Sequence, residues 1–432
     1  MERRVDEHPI LPTADGDEPR VPFYWNGDRL SARPGEMISS ALFAAGIHTF
    51  GHHPRDGQPL GIFCANGQCA QCTVVANGVA VKSCMVPVAD NMVVESCDRA
   101  PTLPVIEEEP VLGETKVVKA GVLIVGAGPA GLAAAIELGK LGVEVLVIDD
   151  KDRPGGKLVL QTHKFFGSIE DTQAGTRGID IADNLAAEMA EQETVSLWLM
   201  STAVGVFSDG KVGVVKDDTY HLIEPEALLI ATGARERQIP FPGHTLPGVY
   251  GAGAFQTLLN RDLVKPCRRL FILGGGNVGL IAAYHALQAD IEVVGLAEAM
   301  PRVGGYKVHE DKIKRIGVPV YLRHTVLQAH GEDHVEAVTI AEVDKDFTPI
   351  EGTEQTFDVD TLLVAVGLAP LDDFHHQALA FGIPSYMAGD AAEIAEASAA
   401  TFGGKIEALK MAKDLGLDVP EVPLDWYDKL EV

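Results

Sequence analysis

Four cysteines stand at a spacing that is suited to holding iron. Cys64, Cys69, Cys72 and Cys84 follow the pattern C-x4-C-x2-C-x11-C. Four thiolates can bind the two irons of a 2Fe–2S cluster, and three of these come from one loop that can wrap around it. Four cysteines can also form a structural zinc site, but zinc ligands usually come as two short C-x2-C pairs. We therefore predict that these cysteines are the ligands of a 2Fe–2S cluster, with zinc as the alternative.

A glycine-rich turn stands between an apolar, strand-like run and an alanine-rich, helix-like run. Residues 126–131, GAGPAG, fit the pattern G-x-G-x-x-G, in which glycines let the backbone approach a pyrophosphate at a helix N-terminus. An acid is expected at the end of the next strand, where it binds ribose hydroxyls. The predicted dinucleotide-binding residues are Gly126, Gly128, Pro129, Ala130, Gly131, Asp149 and Asp150.

The stretch from Gly126 to Gly156 resembles the FAD site of the two-dinucleotide-domain flavoproteins, the group of thioredoxin reductase and glutathione reductase. Three later elements resemble that group in order, namely Gly155-Gly156-Lys157, Ala231-Thr232-Gly233 and Ala388-Gly389-Asp390. The resemblance implies that the first of these turns lies against the flavin and that the aspartate of the third binds the ribityl chain. It adds as FAD-binding residues Gly156, Lys157, Thr232, Gly233, Gly389 and Asp390. Gln161 follows the flavin turn and either contacts the flavin or only packs its loop.

A second glycine turn repeats the pattern later in the chain. Its predicted nucleotide-binding residues are Gly274, Gly276, Asn277, Val278 and Gly279, with Glu298 as the acid. Glu298 stands 19 residues after the last glycine, whereas Asp149 stands 18 residues after Gly131. An acid at this position favours NAD(H) over NADP(H), because it repels a 2′-phosphate. The alternatives are another adenine nucleotide and a vestigial site that only holds the fold.

The elements around these motifs predict an α/β protein. Two Rossmann-like dinucleotide-binding domains of the glutathione- and thioredoxin-reductase kind follow a small α+β ferredoxin-like domain, in which Asn77-Gly78 predicts a hairpin. The predicted segments are a disordered arm (1–20), the 2Fe–2S domain (21–100), a linker (101–118), the first part of the FAD domain (119–245), the second nucleotide domain (246–360), the second part of the FAD domain (361–415) and a tail (416–432).

Composition and cysteine usage argue against nucleic-acid binding, membrane spanning and disulfide reduction as functions of this chain. Lys and Arg number 35 against 62 Asp and Glu, and a net charge of −27 argues against nucleic acid as a partner. The polar N-terminus and the absence of a long apolar run predict a cytoplasmic protein that does not span a membrane. After Cys97 the only cysteine is Cys267, so the redox-active pair of a disulfide reductase is missing. No residue stands out as a catalytic acid, base or nucleophile.

The cysteine segment is similar to the ferredoxin-like module of heteromeric sarcosine oxidase, octopine and nopaline oxidase, hydrogen cyanide synthase and dye-linked proline dehydrogenase. GIFCANGQCAQC (61–72) carries that likeness, and AEAMPRVGGYKVHEDKIKRIGVP (297–319) extends it. The resemblance implies an electron-transfer role with FAD and a 2Fe–2S cluster, beside two partners, a small iron–sulfur subunit and a catalytic flavoprotein subunit. The alternative is a stand-alone NAD(P)H:acceptor oxidoreductase, and a third hypothesis is a nucleotide-binding scaffold without redox turnover.

Overall fold

The computed structural model of the chain describes residues 3–8, 10, 11, 13, 19–99, 113, 115–164 and 173–430. These residues form two compact units, one of residues 1–105 and 236–367 and one of residues 106–235 and 368–432. We call them the first and second units and describe each by itself. Most of the predicted linker 101–118 lies outside the described residues.

The helices and strands of the described residues alternate along most of the chain. The strands are β1 Val21–Trp25, β2 Asp28–Ala32, β3 Gly51–His52, β4 Pro59–Leu60, β5 Thr73–Ala76, β6 Val79–Lys82, β7 Met92–Ser96, β8 Lys116–Val125, β9 Val145–Ile148, β10 Val195–Trp198, β11 Ser201–Val206, β12 Val212–Lys216, β13 Thr219–Ile230, β14 Ala234–Glu236, β15 Val249–Gly251, β16 Arg269–Leu273, β17 Glu292–Glu298, β18 Val320–Leu322, β19 His324–His330, β20 Ala337–Glu342, β21 Gln355–Asp358, β22 Thr361–Val364, β23 Leu368–Pro370 and β24 Ser385–Met387. The helices are α1 Ile38–Ala44, α2 Pro129–Lys140, α3 Gly178–Ala190, α4 Ala252–Asn260, α5 Asn277–Gln288, α6 Lys307–Ile316, α7 Asp373–Ala380, α8 Ala397–Asp414 and α9 Leu424–Leu430, and single 3-10 turns span Gly156–Leu160 and Gly389–Ala391.

The small domain at the start of the first unit is a five-stranded sheet with one buried helix. The strand order is β2-β1-β7-β5-β6, with β1 and β7 parallel. Every residue of α1 is buried, because its apolar and small side chains (ISSALFA) pack under the sheet. Asn77 and Gly78 both have positive φ, as the predicted two-residue hairpin between β5 and β6 requires. The hairpin prediction is therefore confirmed.

The rest of the first unit is a dinucleotide-type domain with a parallel sheet. Its strand order is β15-β22-β16-β17-β18, and the antiparallel sheet β19-β20-β21 follows it in the same unit. Strand β16 lies between β22, which comes late in the chain, and β17, which comes directly after it. The carboxyl end of β16 is therefore the topological switch point, where ligands of open α/β sheets bind. The second glycine turn begins directly after this strand.

The small domain packs directly on the dinucleotide-type domain within the first unit. One continuous hydrophobic core contains side chains of both, including Phe43 and Tyr250, whose rings meet edge to face with centroids 6.4 Å apart. The Ser40 hydroxyl donates a hydrogen bond of 2.5 Å to the Asp262 carboxylate. The Gly251 N–H, at the end of β15, donates to the Phe63 carbonyl at 3.0 Å. Because Phe63 precedes Cys64, the cysteine loop has a fixed place on this domain.

Residues 3–5 join the two domains of the first unit. The Val5 N–H donates to the Leu263 carbonyl at 2.7 Å, and the Lys265 N–H donates to the Arg3 carbonyl at 2.7 Å. The Arg4 guanidinium forms a paired contact with Glu36 of the small domain, at 3.0 and 2.8 Å. Both side chains of this ion pair are buried, with 5% and 3% exposure. The expected disorder of the arm 1–20 therefore does not extend to these three residues, since their polar groups have partners in both domains.

We expect Arg4→Ala to lower the free energy of unfolding of the first unit by about 3 kcal/mol, because it leaves the buried Glu36 carboxylate without its cation. Urea unfolding followed by tryptophan fluorescence measures this loss. Arg269→Ala is the control, because it removes a pair with Glu292 whose side chains are 44% and 58% exposed, and it should stay within about 1 kcal/mol of the wild type. Equal losses in both variants would contradict the prediction.

The second unit is built on a mostly parallel sheet with helices on its faces. The strand order is β10-β9-β8-β13-β12-β11, and β24 pairs with β13. The last four residues of β8 (122–125) and all of β9 are apolar and buried, as parallel strands covered on both faces must be. Helices α2, α3 and α8 share one hydrophobic core with this sheet. The first glycine turn joins β8 to α2.

Candidate functional site

The hairpin of the small domain brings the four cysteines together. Cys72 directly precedes β5 and Cys84 lies two residues after β6, so the open end of the hairpin holds both. The Ser83 hydroxyl and N–H both donate to the Cys72 carbonyl, at 2.7 and 3.1 Å, and fix this end. The Cys69 N–H donates to the Cys64 sulfur at 3.3 Å. Cys64, Cys72 and Cys84 are buried and Cys69 is partly exposed, so Cys69 marks the side nearest to solvent.

The four cysteine sulfurs lie close enough to share protons. Hydrogen bonds from Cys69 and Cys84 hold the pKa of Cys64 far below its ordinary value, and a hydrogen bond from Cys84 lowers the pKa of Cys72 to about 7. The pKa values of Cys69 and Cys84 are raised, chiefly by their hydrogen bonds to Cys64. Across the described part of the chain, no three His, Cys, Asp or Glu side chains gather as a group that could hold one ion. A 2Fe–2S cluster does not need three ligands around one ion, because only two thiolates bind each of its two irons.

The first cradle consists of residues 126–131 and Asp149. A Cβ on Gly126 would lie 2.3 Å from the Ala231 carbonyl oxygen, and one on Gly131 would lie 1.9 Å from the Gly126 carbonyl oxygen. Glycine is therefore required at both positions to pack the turn. A Cβ on Gly128 would meet nothing closer than the Gly156 Cα at 3.9 Å. Gly128 thus faces open space at the start of α2, which fits the close approach of a pyrophosphate.

Asp149 borders the glycine turn and Asp150 does not. The Asp149 carboxylate accepts hydrogen bonds from the Ala127 N–H at 2.7 Å and the Lys151 N–H at 2.9 Å. Burial raises the pKa of Asp149 above its ordinary value, although both N–H donors oppose the shift. Asp150 forms an ion pair with Lys151 at 2.6 Å at the surface. Of the two predicted acids, only Asp149 is shown in contact with the glycine turn.

The other residues that the resemblance implicates fall into two groups. Gly156 and Gly389 adjoin the first cradle: a Cβ on Gly156 would lie 2.8 Å from the Gly128 Cα, and one on Gly389 would lie 2.9 Å from the Ala130 Cβ. Asp390 follows Gly389, and burial raises its pKa. Pro129 begins α2 within the glycine turn. Of the other positions, Gly233 has φ 71°, Lys157 is exposed and the Thr232 hydroxyl donates to the Leu371 carbonyl at 2.6 Å.

Gln161, at the end of the 3-10 turn that begins at Gly156, has a side-chain atom that suits a ligand. Its side-chain oxygen is buried and accepts no hydrogen bond from the described residues. A buried amide oxygen without a donor costs free energy, so a bound group that donates to it would be favoured. Together with the open space at Gly128, this oxygen shows that the residues present fit a dinucleotide of the FAD kind.

The second cradle, residues 274–279 and Glu298, repeats the first contact by contact. A Cβ on Gly274 would lie 2.2 Å from the Ala365 carbonyl oxygen, and one on Gly279 would lie 2.2 Å from the Gly274 carbonyl oxygen. Gly276 meets nothing within 4 Å. The Glu298 carboxylate accepts a hydrogen bond from the Gly275 N–H at 2.7 Å, just as Asp149 accepts one from Ala127.

A β-bulge explains the extra residue before Glu298. The pairing of β16 with β17 shifts between Leu270 and Phe271, whose partners are Val293 and Gly295, so Val294 is left without an opposite residue. The bulge absorbs one position, and the acid arrives at the same place relative to the turn. The offset of one residue therefore does not weaken the second cradle.

The segment 304–306 contacts the second cradle; the sequence linked it to the family likeness but not to the nucleotide site. The Gly305 N–H donates to the Gly275 carbonyl at 3.0 Å, and the Tyr306 N–H donates to the Asn277 side-chain oxygen at 2.7 Å. A Cβ on Gly305 would lie 2.8 Å from the Asn277 nitrogen. The neighbouring Val278 packs against the core. The signal was present in the sequence, because both acids are followed by the same pattern, acid-x3-Arg-x-Gly-Gly.

The four-cysteine loop and the two glycine-turn cradles define an iron–sulfur flavoprotein of the oxidoreductase class. The chain belongs to the pyridine nucleotide-disulphide oxidoreductase family, which matches residues 120–384. Residues 18–99 match the 2Fe-2S iron-sulfur cluster binding domain, which resolves the zinc alternative. The protein is thus an FAD-dependent oxidoreductase with a 2Fe–2S cluster.

The chain is similar to components of several named enzymes. It is 30% identical over 328 residues to the HcnB subunit of hydrogen cyanide synthase from Pseudomonas aeruginosa, covering 67% of this chain and 70% of that protein. It is 28% identical to the alpha subunit of sarcosine oxidase from Rhizobium meliloti over 73% of this chain but only 33% of that protein. It is 26% identical to an opine oxidase subunit of Agrobacterium tumefaciens over 68% of this chain and 66% of that protein.

Two solved structures share the fold. L-proline dehydrogenase from P. horikoshii superposes with a TM-score of 0.71 at 22% identity, covering 98% of this chain and 79% of that chain. Thioredoxin reductase of T. acidophilum gives a TM-score of 0.55 at 20% identity, covering 69% of this chain and 99% of that chain. The second match confirms the predicted arrangement of two dinucleotide-binding domains. Within the described ranges, no helix is both long enough and apolar enough to cross a bilayer.

Proposed function

We propose that this chain is the electron-transfer subunit of a heteromeric dehydrogenase or oxidase. An amino acid, amine or related small substrate would be oxidised on a partner flavoprotein, and this chain would carry the electrons. The observation that carries the proposal is a 2Fe–2S module built into a chain that resembles named subunits of multi-subunit enzymes. A small iron–sulfur subunit is a further candidate partner.

The missing cysteine pair supports this assignment. Outside the cluster loop the sequence holds two cysteines, Cys97 and Cys267. Cys267 is buried beside Tyr250 and Thr361, and burial raises its pKa well above the ordinary value, so its thiol stays protonated and inert. Cys97 donates to the Arg99 carbonyl at 3.2 Å. The chain therefore lacks the pair of thiols that disulfide exchange, the reaction implied by the family name, requires. The 2Fe–2S cluster would transfer single electrons instead.

The two cofactors are assigned to separate units. FAD would be held by the first cradle. Gly128 would leave space for its pyrophosphate, Asp149 would bind its adenosine ribose and Asp390 would bind its ribityl chain. The cluster would be held by Cys64, Cys69, Cys72 and Cys84. When bound, FAD exchanges electron pairs or single electrons and the cluster exchanges single electrons. The chain's own contribution is to bury three of the thiolates, leave Cys69 near solvent and hold the cysteine loop at Gly251.

The chain expressed alone tests the proposal. Assays with sarcosine, amino acids and glycerol phosphate and an artificial dye acceptor should show no turnover, because the site that oxidises the substrate lies on the partner. Adding a catalytic flavoprotein subunit that co-purifies with the chain should restore turnover. Rapid oxidation of any of these substrates by the chain alone would overturn the proposal.

A stand-alone NAD(P)H:acceptor oxidoreductase is the second candidate function. The observation in its favour is the second cradle, where Glu298 accepts the Gly275 N–H and Gly276 faces open space. Anaerobic titration with NADH separates the two functions. Fast bleaching of the flavin absorbance would favour the stand-alone enzyme, and an unchanged flavin spectrum favours the electron-transfer role.

We expect Gly276→Ala to weaken nucleotide binding at the second cradle about tenfold or more without disturbing the fold. Gly276 has φ −73°, and its added Cβ would meet no protein atom within 4 Å. The methyl group would therefore clash only with a bound pyrophosphate. Equilibrium dialysis with NAD(H) and with ADP measures the effect. Unchanged binding of both nucleotides in a normally folded variant would show that neither uses this turn.

A further inference from the structure

The C-terminal helix α9 packs on α8, the helix that borders the first cradle. Phe402 of α8 is only 1% exposed, and the Trp426 ring meets it edge to face with centroids 6.2 Å apart. The Lys405 ammonium lies 5.4 Å from the Phe402 ring centroid and 5.8 Å from that of Trp426. The Lys429 ammonium lies 5.3 Å from the Phe402 ring. Two aromatic rings and two cations thus join these helices.

Helix α8 packs against the glycine turn of the first cradle and against Gly389, which adjoins that turn, without intervening side chains. A Cβ on Gly404 would lie 2.1 Å from the Ala130 carbonyl oxygen, so α8 and α2 pack backbone against backbone. A Cβ on Gly403 would lie 3.5 Å from the Gly389 nitrogen. Gly403 and Gly404 are consecutive residues, so a tilt of α8 would displace Gly389 and Ala130 together.

The contact of α9 reaches the same glycine. The Leu430 side chain lies 3.5 Å from where a Gly403 Cβ would stand, on the helix turn that adjoins Gly389. Gly403 lies next to Phe402 in the sequence, so Trp426 and Leu430 contact adjacent residues of α8. Helix α9 exposes Leu424 by 84% and Tyr427 by 39%, so only part of its surface serves this contact.

We propose that Trp426 is a positioning residue for FAD. It does not touch the cradle; it holds α8 so that Gly403 and Gly404 keep Gly389 and Ala130 at the spacing that a dinucleotide needs. The proposal rests on FAD lying in the first cradle. It assigns to the C-terminal helix a part in cofactor retention that none of the glycine motifs predicts.

The test compares FAD affinity in three variants of the full chain. Trp426→Ala should raise the Kd for FAD about tenfold and alter the visible circular dichroism of the bound flavin, because the ring contact is lost. Trp426→Phe keeps an aromatic ring and should stay within about twofold of the wild type. Leu424→Ala is the matched control on the same helix, since that side chain is 84% exposed; its Kd should not change.

Leu430→Ala keeps the proposal testable if Trp426→Ala does not fold. It removes the contact beside Gly403 and should raise the Kd about threefold. Wild-type affinity in both Trp426→Ala and Leu430→Ala would overturn the proposal, and so would an equal loss in Trp426→Phe and Trp426→Ala. If FAD does not bind at the first cradle at all, Gly128→Ala will also leave the affinity unchanged, which separates that failure from this one.

Discussion

Cys69→Ser is expected to abolish the 2Fe–2S cluster while FAD stays bound. A serine hydroxyl does not ionise at neutral pH, and its oxygen lies closer to Cβ than the cysteine sulfur does. One iron therefore loses a ligand. Iron content should fall from about two atoms per chain to near zero, and the charge-transfer bands of the cluster should disappear. The flavin bands should persist, because the cysteine loop and the first cradle belong to different units of the chain. Iron analysis and visible spectroscopy on the same sample measure both outcomes.

Cys97→Ser is the matched control for this experiment. Cys97 belongs to the same small domain, but its sulfur donates to the Arg99 carbonyl and takes no part in the four-cysteine group. It should keep the full iron content and the wild-type spectrum. Loss of iron in Cys97→Ser, or a full cluster in Cys69→Ser, would show that the ligand set is assigned wrongly.

The features that the sequence revealed are those with short-range causes. Gly131 was predictable because the turn between β8 and α2 closes on its own backbone, where a Cβ on Gly131 would lie 1.9 Å from the Gly126 carbonyl oxygen. Gly126 was predictable because the same turn needs its positive φ of 110°. The hairpin at Asn77-Gly78 was predictable for the same reason, since its geometry depends on two adjacent residues. The spacing of the four cysteines is likewise a property of one loop and one hairpin.

The features that the sequence concealed depend on partners far away in the chain. Ser40 meets Asp262 across 222 positions, and nothing near Ser40 signals this contact. Arg4 looked like part of a disordered polar arm, yet its charge is neutralised by Glu36 in a buried pair. Polar composition favours disorder only when the polar groups lack partners, and a single sequence does not show partners. The bulge at Val294 is similar, because it is visible only once β17 is paired with β16.

Gly128→Ala is expected to weaken FAD binding about a hundredfold while the FAD-free chain folds normally. Its φ of −76° suits any residue, and the new methyl group would lie 3.9 Å from the nearest protein atom, the Gly156 Cα. The apoprotein has room for that methyl group, but a pyrophosphate at the N-terminus of α2 does not. Flavin released on gel filtration and the Kd for added FAD measure the loss, and circular dichroism checks the fold.

Gly276→Ala is the matched control for FAD binding, because it places the same methyl group at the corresponding position of the second cradle. The pair of variants therefore asks which cradle holds which nucleotide. Loss of FAD in Gly128→Ala alone assigns the flavin to the first cradle and leaves the second to an adenine nucleotide or to none. Loss of FAD in Gly276→Ala alone would reverse the assignment, and with it the roles proposed for Asp149, Asp390 and Trp426. The two turns share the close contacts of their first and last glycines and of their acids, so substituting the open glycine of each in turn distinguishes the two sites.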